Sequence, residues 1–305
     1  MGYLLWGLIY TLGLLPIDLR RALGHLLGLV IARFPTRERT IASLQLRQFF
    51  NPAQSATVVN RMYASLGQSA FETFNLNPLL DAINSSANNA EHKTFIDCPE
   101  LAKIQEIYSR GRGIVALTAH TGNWDLMGAY FAKCGIRVAT IGREARVVAL
   151  QDLLVRIREK YGIQTIWRQD PQAMKQLLSR LNRGWVIAAL IDQDTYVHSR
   201  HVPFFGRYAS TPDSLVKVAK RRNIPIVSTF IFRLESGKYR IFLRELNGDE
   251  SVEDILTQYH TQLENHLRHY PEQWVWFHKR WRTLPSGERL ATADYIKFLR
   301  RGMAA

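Results

Sequence analysis

The chain has 305 residues, enough for one large domain with a short appendage. Hydrophobic residues make up 47% of it, which excludes a disordered protein. With 40 Lys and Arg against 26 Asp and Glu, the net charge is +14. Such an excess predicts attraction to something anionic: nucleic acid, an acidic lipid surface or an acidic protein. Cys98 and Cys134 are the only cysteines, without metal-ligand spacing or the numbers of a disulfide framework, so two reduced thiols in a cytosol-facing protein are expected.

Residues 3–15 carry no charge, Pro16 follows, and Arg20 and Arg21 precede a second apolar run from Ala22 to Ile31. The first run spans about 20 Å as a helix, short of the roughly 30 Å hydrocarbon core. No basic stretch precedes it and no small-residue cleavage site follows, which argues for a retained anchor over a removable leader. Tyr3, Trp6 and Tyr10 suit a membrane interface, and Arg20 and Arg21 would keep the following chain on the cytoplasmic side. Residues 1–35 are therefore expected to dip into or cross the membrane, the alternative being a buried core helix.

From Thr36 to Leu80 the apolar spacing is helical, and this lead-in extends to residue 90 through the polar break Asn84–Asn89. Strands and helices then alternate. Strands are expected at Ile114–Thr118, Val138–Ile141, Gln164–Trp167, Trp185–Ile191, Ile226–Phe232 and Tyr239–Leu243. Helices are expected at Trp124–Cys134, Val148–Tyr161, Pro171–Leu181, Asp213–Arg222 and 252–270. The last two strands straddle Glu235–Lys238 as a hairpin. This order predicts an α/β domain over 36–305, a mostly parallel sheet flanked by helices, behind a helical membrane-associated segment.

His120 follows an apolar strand and precedes a helix starting near Gly122-Asn123, and strand carboxyl ends are where open α/β sheets bind ligands. Asp125, in the first helical turn, is expected to turn back to the imidazole, fix its tautomer and leave the other nitrogen as a base. Gly122 would let a substrate approach the backbone, and the free N–H groups at the helix start would stabilise an oxyanion. A His five residues before an Asp is equally what a capping Asp near a half-buried His looks like.

His120-Thr-Gly-Asn-Trp-Asp125 resembles the His-x4-Asp/Glu motif of glycerolipid and lysophospholipid acyltransferases. Its Gly122-Asn123-Trp124 interior is similar to the branch of lauroyl and myristoyl transferases of lipid A biosynthesis and of mycobacterial phosphatidylinositol mannoside acyltransferases. Further matches are Gly67 and Glu72 upstream, Asp192-Gln193-Asp194, Val202-Pro-Phe-Phe-Gly206 with Thr211, and Pro271-Glu-Gln-Trp-Val-Trp276 with His278, Arg280 and Trp281. The resemblance implies an enzyme at the cytoplasmic face of a bacterial inner membrane, needing no cofactor. It implies His120 as general base and Asp125 as its orienting partner, with Asp192 or Asp194 as a second carboxylate. The implied donor is an acyl thioester of acyl carrier protein or coenzyme A, the acceptor a lipid A precursor or another anionic glycolipid or lysophospholipid. Asn123 and Gln193 count among the implied substrate-binding residues. Arg143 would hold the acceptor phosphate.

Other residues admit two readings. Arg158, with Arg137, Arg143, Arg146, Arg156, Lys160 and Arg168, forms either a patch for lipid phosphates or the acidic carrier, or ordinary solvated helix faces. Phe204 and Phe205 are an acyl-chain wall or core. A metal-dependent hydrolase built on His120, Asp192, Asp194, His198 and His201 is a rival, although the helical spacing of metalloproteases is missing. A nucleic-acid binder lacks any recognisable motif.

Overall fold

The computed structural model describes residues 2–81, 95–144 and 147–303; the polar break at 84–89 and Arg146 lie outside these. Two helices open the chain, α1 (Gly2–Leu14) and α2 (Ile17–Ala32), followed by α3 (Arg37–Leu46), α4 (Pro52–Thr73) and a short α5 (Asn77–Leu80). Asn51 caps α4 by accepting from the Ala53 N–H, and Pro52 stands at its first position, where no N–H is needed.

The α/β part runs β1 (Ile96–Asp97), α6 (Leu101–Ser109), β2 (Ile114–Thr118), α7 (Trp124–Lys133), β3 (Val138–Gly142), α8 (Val148–Lys160), β4 (Ile163–Trp167), α9 (Ala173–Asn182) and β5 (Val186–Leu190). A ribbon of β6 (Ser199–Phe204) and β7 (Arg207–Pro212) follows, then α10 (Ser214–Arg222), β8 (Ile226–Arg233), β9 (Tyr239–Leu246), α11 (Val252–His269) and, past an irregular segment, α12 (Thr292–Arg300). Seven strands form one sheet in the order β1-β9-β8-β2-β5-β3-β4, parallel except for the β8–β9 hairpin. The expected mostly parallel sheet is therefore present. Sequence periodicity passed over α6, α12 and the β6–β7 ribbon.

Strand β2 is buried on both faces, as a central parallel strand must be. Its odd positions Val115 and Leu117 join a core with α9, α10, α11 and the tryptophans Trp274, Trp276 and Trp281. Ile114 and Ala116 face the opposite layer of α6 and α7. Helices α3 and α4 supply Ile41, Leu46, Val59 and Met62 to the first core, so the helical lead-in shares one interior with the sheet.

Helix α2 lies against α4 at backbone contact. A Cβ on Gly67 would stand 2.0 Å from the Gly24 carbonyl oxygen, and one on Gly28 would stand 2.2 Å from that of Tyr63. Arg20 is fully buried, donating to the carbonyls of Leu15 (3.1 Å), Glu72 (3.3 Å) and Asn75 (2.7 Å). Arg21 reaches the Glu72 carboxylate at 2.7 Å. Both arginines, read from sequence as flanking charges for a membrane, are thus committed to internal contacts. The other side of α2 exposes Leu19, Leu23, Leu26, Leu27, Val30 and Ile31. None of the described helices is long and apolar enough to cross a membrane.

Gly67→Val should therefore push α2 off α4, lowering stability by about 1–3 kcal/mol, as forced overpacking does; thermal melts of detergent-purified protein measure it.

Candidate active site

The parallel register of β2 and β5 creates the site. Thr118 stands opposite Leu190; two residues further along both strands, His120 comes to face Asp192. The ladder continues past the strand ends, with the Ile191 N–H donating to the Thr118 carbonyl at 3.1 Å. Asp192 Oδ1 lies 2.8 Å from His120 Nδ1, and Oδ2 accepts from the His120 backbone N–H (2.9 Å) and from Trp274 Nε1 (2.8 Å). The carboxylate has no solvent exposure, whereas the imidazole is 21% exposed. Burial by itself would raise the Asp192 carboxyl, but the adjacent His120 imidazole and its hydrogen bonds hold it well below its ordinary value.

A carboxylate that stays ionised accepts hydrogen bonds only, so the His120 proton belongs on Nδ1 and Nε2 carries the lone pair. Gln193 Nε2 lies over the His120 ring, 3.2 Å from that nitrogen and 3.3 Å from Nδ1, and 3.1 Å from His278 Nε2. The rings of His278 and Trp124 both meet His120 edgewise, with centroids 5.1 Å away. Burial, then the neighbouring His120, pushes the His278 imidazole down to about 3, so it is neutral at physiological pH.

Asp125, expected against His120, is instead paired with Arg158 of α8, Oδ1 to Nε at 2.7 Å. Gly122 explains this. Its φ of +51° turns the chain sharply, and α7 then sets out from its Asn123 cap with Asp125 directed towards α8. The space at Gly122 is filled by the protein itself: a Cβ there would stand 2.4 Å from the Ile231 carbonyl oxygen of β8. The residue thus admits a neighbouring strand where a substrate was expected.

Asn123 accepts from the Leu126 N–H at 3.0 Å and donates to Glu72 Oε2 at 3.1 Å. Glu72 is buried, shared among Asn123, Arg21, Arg233 and Tyr239. Burial opposes its charge, yet Arg233 and Arg21 hold its carboxyl below the ordinary value. On the far side, the Gln273 carbonyl accepts from Gly122 N–H at 3.0 Å, and Thr121 bridges to Trp274.

Other expected site residues lie elsewhere. Asp194 is bonded to Thr283 N–H (2.6 Å), Thr283 Oγ1 (2.9 Å) and the Arg289 guanidinium, which removes it as a partner for His120. Phe204 and Phe205 are buried against Trp274, Trp276, Trp281 and Phe49, so they are core and not an acyl-chain wall. His198 is exposed beside Asp213, and His201 bonds the Thr283 carbonyl, so neither joins His120. Among the described residues, the group that presents three ligand-type atoms within 4.8 Å of one another is His120, Asp192 and His278.

The basic run is not one patch: Arg137 donates to Tyr108 Oη, Arg156 stacks on Trp6 and Arg158 holds Asp125. Arg143 is exposed just past β3. Burial, then the charge of Arg143, depresses the nearby Arg168, and neither has a carboxylate partner among the described residues. Trp124, Asp125 and Arg158 border a narrow, mainly apolar cavity of about 50 Å³ between α7 and the sheet, lined by Ala116, Met127, Ala188 and Val227.

The comparisons with known proteins agree with one another. The family described as bacterial lipid A biosynthesis acyltransferase matches residues 1–283. The chain is 26% identical to a lipid A biosynthesis acyltransferase of Haemophilus influenzae, covering 93% of this chain and 90% of that protein. It is 24% identical to the lipid A biosynthesis palmitoleoyltransferase of Escherichia coli strain K12, over 92% and 91% of the two chains. A phosphatidylinositol mannoside acyltransferase of Mycolicibacterium smegmatis is 21% identical over 64% of this chain and 66% of its own length.

The two carboxylates are separable by turnover. Asp192→Asn should lower kcat by roughly 10²–10⁴-fold through loss of the His120 tautomer. Asp125→Asn, which changes a contact to Arg158 and leaves the His120–Asp192 pair intact, should cost far less; kcat of the three proteins decides.

Proposed function

Because the chain belongs to the bacterial lipid A biosynthesis acyltransferase family, we propose that it moves a fatty acyl chain from a thioester to a hydroxyl of an anionic glycolipid. The observation that carries this reading is the His120–Asp192 pair at the carboxyl end of the sheet, with Nε2 turned away from the carboxylate. His120 Nε2 takes the hydroxyl proton as the acceptor oxygen attacks the thioester carbon. Negative charge collects on the carbonyl oxygen; its collapse breaks the C–S bond, and His120 returns the proton to the leaving thiolate. Asp192 stabilises the imidazolium between these steps.

The donor is acyl carrier protein or acyl coenzyme A. The acyl chain enters the crevice beside α7, whose open space is small beside the roughly 300–1,000 Å³ of a ligand pocket, so lining side chains such as Met127 move aside. Arg158 and Asp125 sit at its polar border. Arg143, with Arg168 beside it, suits an acceptor phosphate, because a planar guanidinium binds phosphate through two parallel hydrogen bonds. A lipid A precursor is the preferred acceptor, supported by the names of the relatives matched along most of their length.

The apolar outer side of α2, continued by exposed Leu8, Tyr10 and Leu14 on α1, suits an interfacial seat in a bilayer. With the positive charge of the chain, this supports residence on the cytoplasmic face of the bacterial inner membrane. Membrane lipids are then a partner and nucleic acid is not.

The test incubates purified protein with lauroyl, myristoyl and palmitoyl thioesters of both carriers. Lipid A precursor, phosphatidylinositol mannoside and lysophospholipid are offered as acceptors, and the lipids are read by mass spectrometry. Acylated lipid A precursor is expected from wild type, and at least about 10³-fold less from His120→Ala, which should still sediment with anionic vesicles. Transfer to water alone would replace the reading with a thioesterase, and preference for another acceptor would reassign the substrate.

A further inference from the structure

The charge that forms on the thioester oxygen needs hydrogen-bond donors. Of the N–H groups around the start of α7, where the sequence places them, that of Gly122 is taken by the Gln273 carbonyl and that of Leu126 by Asn123 Oδ1. Gln193 offers a different donor. Its amide nitrogen lies between two imidazoles, over the His120 ring at 3.2 Å from Nε2 and 3.3 Å from Nδ1, and 3.1 Å from His278 Nε2.

The proton positions follow from Asp192. With the His120 proton on Nδ1, the ring meets the amide with its π electrons and the Nε2 lone pair, so Gln193 presents N–H to it; the flipped amide would set oxygen against both. The second N–H of the same amide then faces His278 Nε2, which must also be an acceptor. That puts the His278 proton on Nδ1, a buried atom with no protein partner among the described residues. A buried unpaired donor costs stability, and a purely packing role would be served better by an apolar ring of the same shape.

We propose that Gln193 and His278 work as a unit, in which His278 holds the Gln193 amide against the His120 ring so that an amide N–H reaches the thioester oxygen as charge forms. The inference rests on the acyl-transfer reading above. In the resting site one N–H lies against the His120 ring and the other is tethered to His278. The acceptor hydroxyl takes Nε2, and the first N–H turns to the adjacent carbonyl oxygen while the tether to His278 persists. No proton leaves the amide. Gln193 is the group that touches the reacting atoms, and His278 is a positioning residue. Its neutrality is part of the device, since an imidazolium would repel the N–H it has to hold.

The test is a double-mutant cycle of Q193A and H278F, with H278Q as the conservative variant, measuring kcat, KM and melting temperature. A preorganised donor of this kind is worth on the order of 10²–10³ in kcat when it is removed. Q193A is expected to show such a loss with KM within about twofold of wild type, the pattern of an interaction made only in the transition state. H278F should lose about 10–100-fold in kcat, and the double variant should be no slower than Q193A. H278Q, whose amide oxygen accepts the same N–H, should recover most of the rate. An unimpaired H278F, losses that multiply in the double variant, or losses that appear in KM and melting temperature would overturn the assignment. Should H278F fail to fold, Q193A with H278Q and their combination run the same cycle. Wild type assayed in parallel separates the two readings: an inactive wild type removes both, whereas an active wild type with an unimpaired H278F removes only this one.

Discussion

A carboxylate shut away from water stays charged only if donors surround it, and Asp192 is shut away completely. Its two oxygens accept from the His120 ring, the His120 backbone and the Trp274 indole. Those three donors come from β2 and from the C-terminal segment, so the charge of Asp192 couples the middle of the sheet to the end of the chain. Removing any one would leave part of a buried charge unmatched, which costs more than the bond returns when present. The tautomer of His120 and the direction of Nε2 both follow from this one ion.

The loop carrying His120 is fixed from three sides. Ser69 and Glu72 of α4 hold Gly122 and Asn123, Gln273 takes the Gly122 N–H, and the backbone of β8 fills the space a side chain at Gly122 would occupy. Glu72 extends the arrangement to Arg21 on α2 and Arg233 at the end of β8. A buried network of this kind adds little net stability, because desolvation offsets the attraction. What it does is specify: one arrangement of α2, α4, α7 and β8 satisfies every charge, and misplaced ones strand a carboxylate. Preorganisation of a catalytic loop requires such support behind it.

Helix α2 has two unlike sides. Gly24 and Gly28 bring one side to backbone contact with α4, and the other leaves leucines in the open. The same helix thus touches the network behind the His120 loop through Arg21 and turns an apolar surface outward. Any membrane seat on that surface would be rigidly tied to the reaction centre, since α4 joins the same core as the sheet.

Local pattern determined the alternation of strands and helices from β2 to α11, because apolar periodicity and glycine breaks act over a few residues. It also located His120 at a strand end and Asn123 at a helix start. What it missed are elements whose pattern is weak or whose partner is remote: the β6–β7 ribbon, α6, and α12. The carboxylate beside His120 belongs to this second class. Spacing along the chain favoured Asp125, five residues away, but the register of β2 against β5 brought up Asp192 instead, and the left-handed turn at Gly122 sent Asp125 to Arg158. Asp194 and the Phe204–Phe205 pair went astray for the same reason, having found Arg289 and the tryptophan core. His278 carried only the signal of the C-terminal signature, with no role attached. The order of most elements and the histidine proposed as the base were thus legible in the sequence. Which groups meet was set by strand register and burial, which a linear chain does not display.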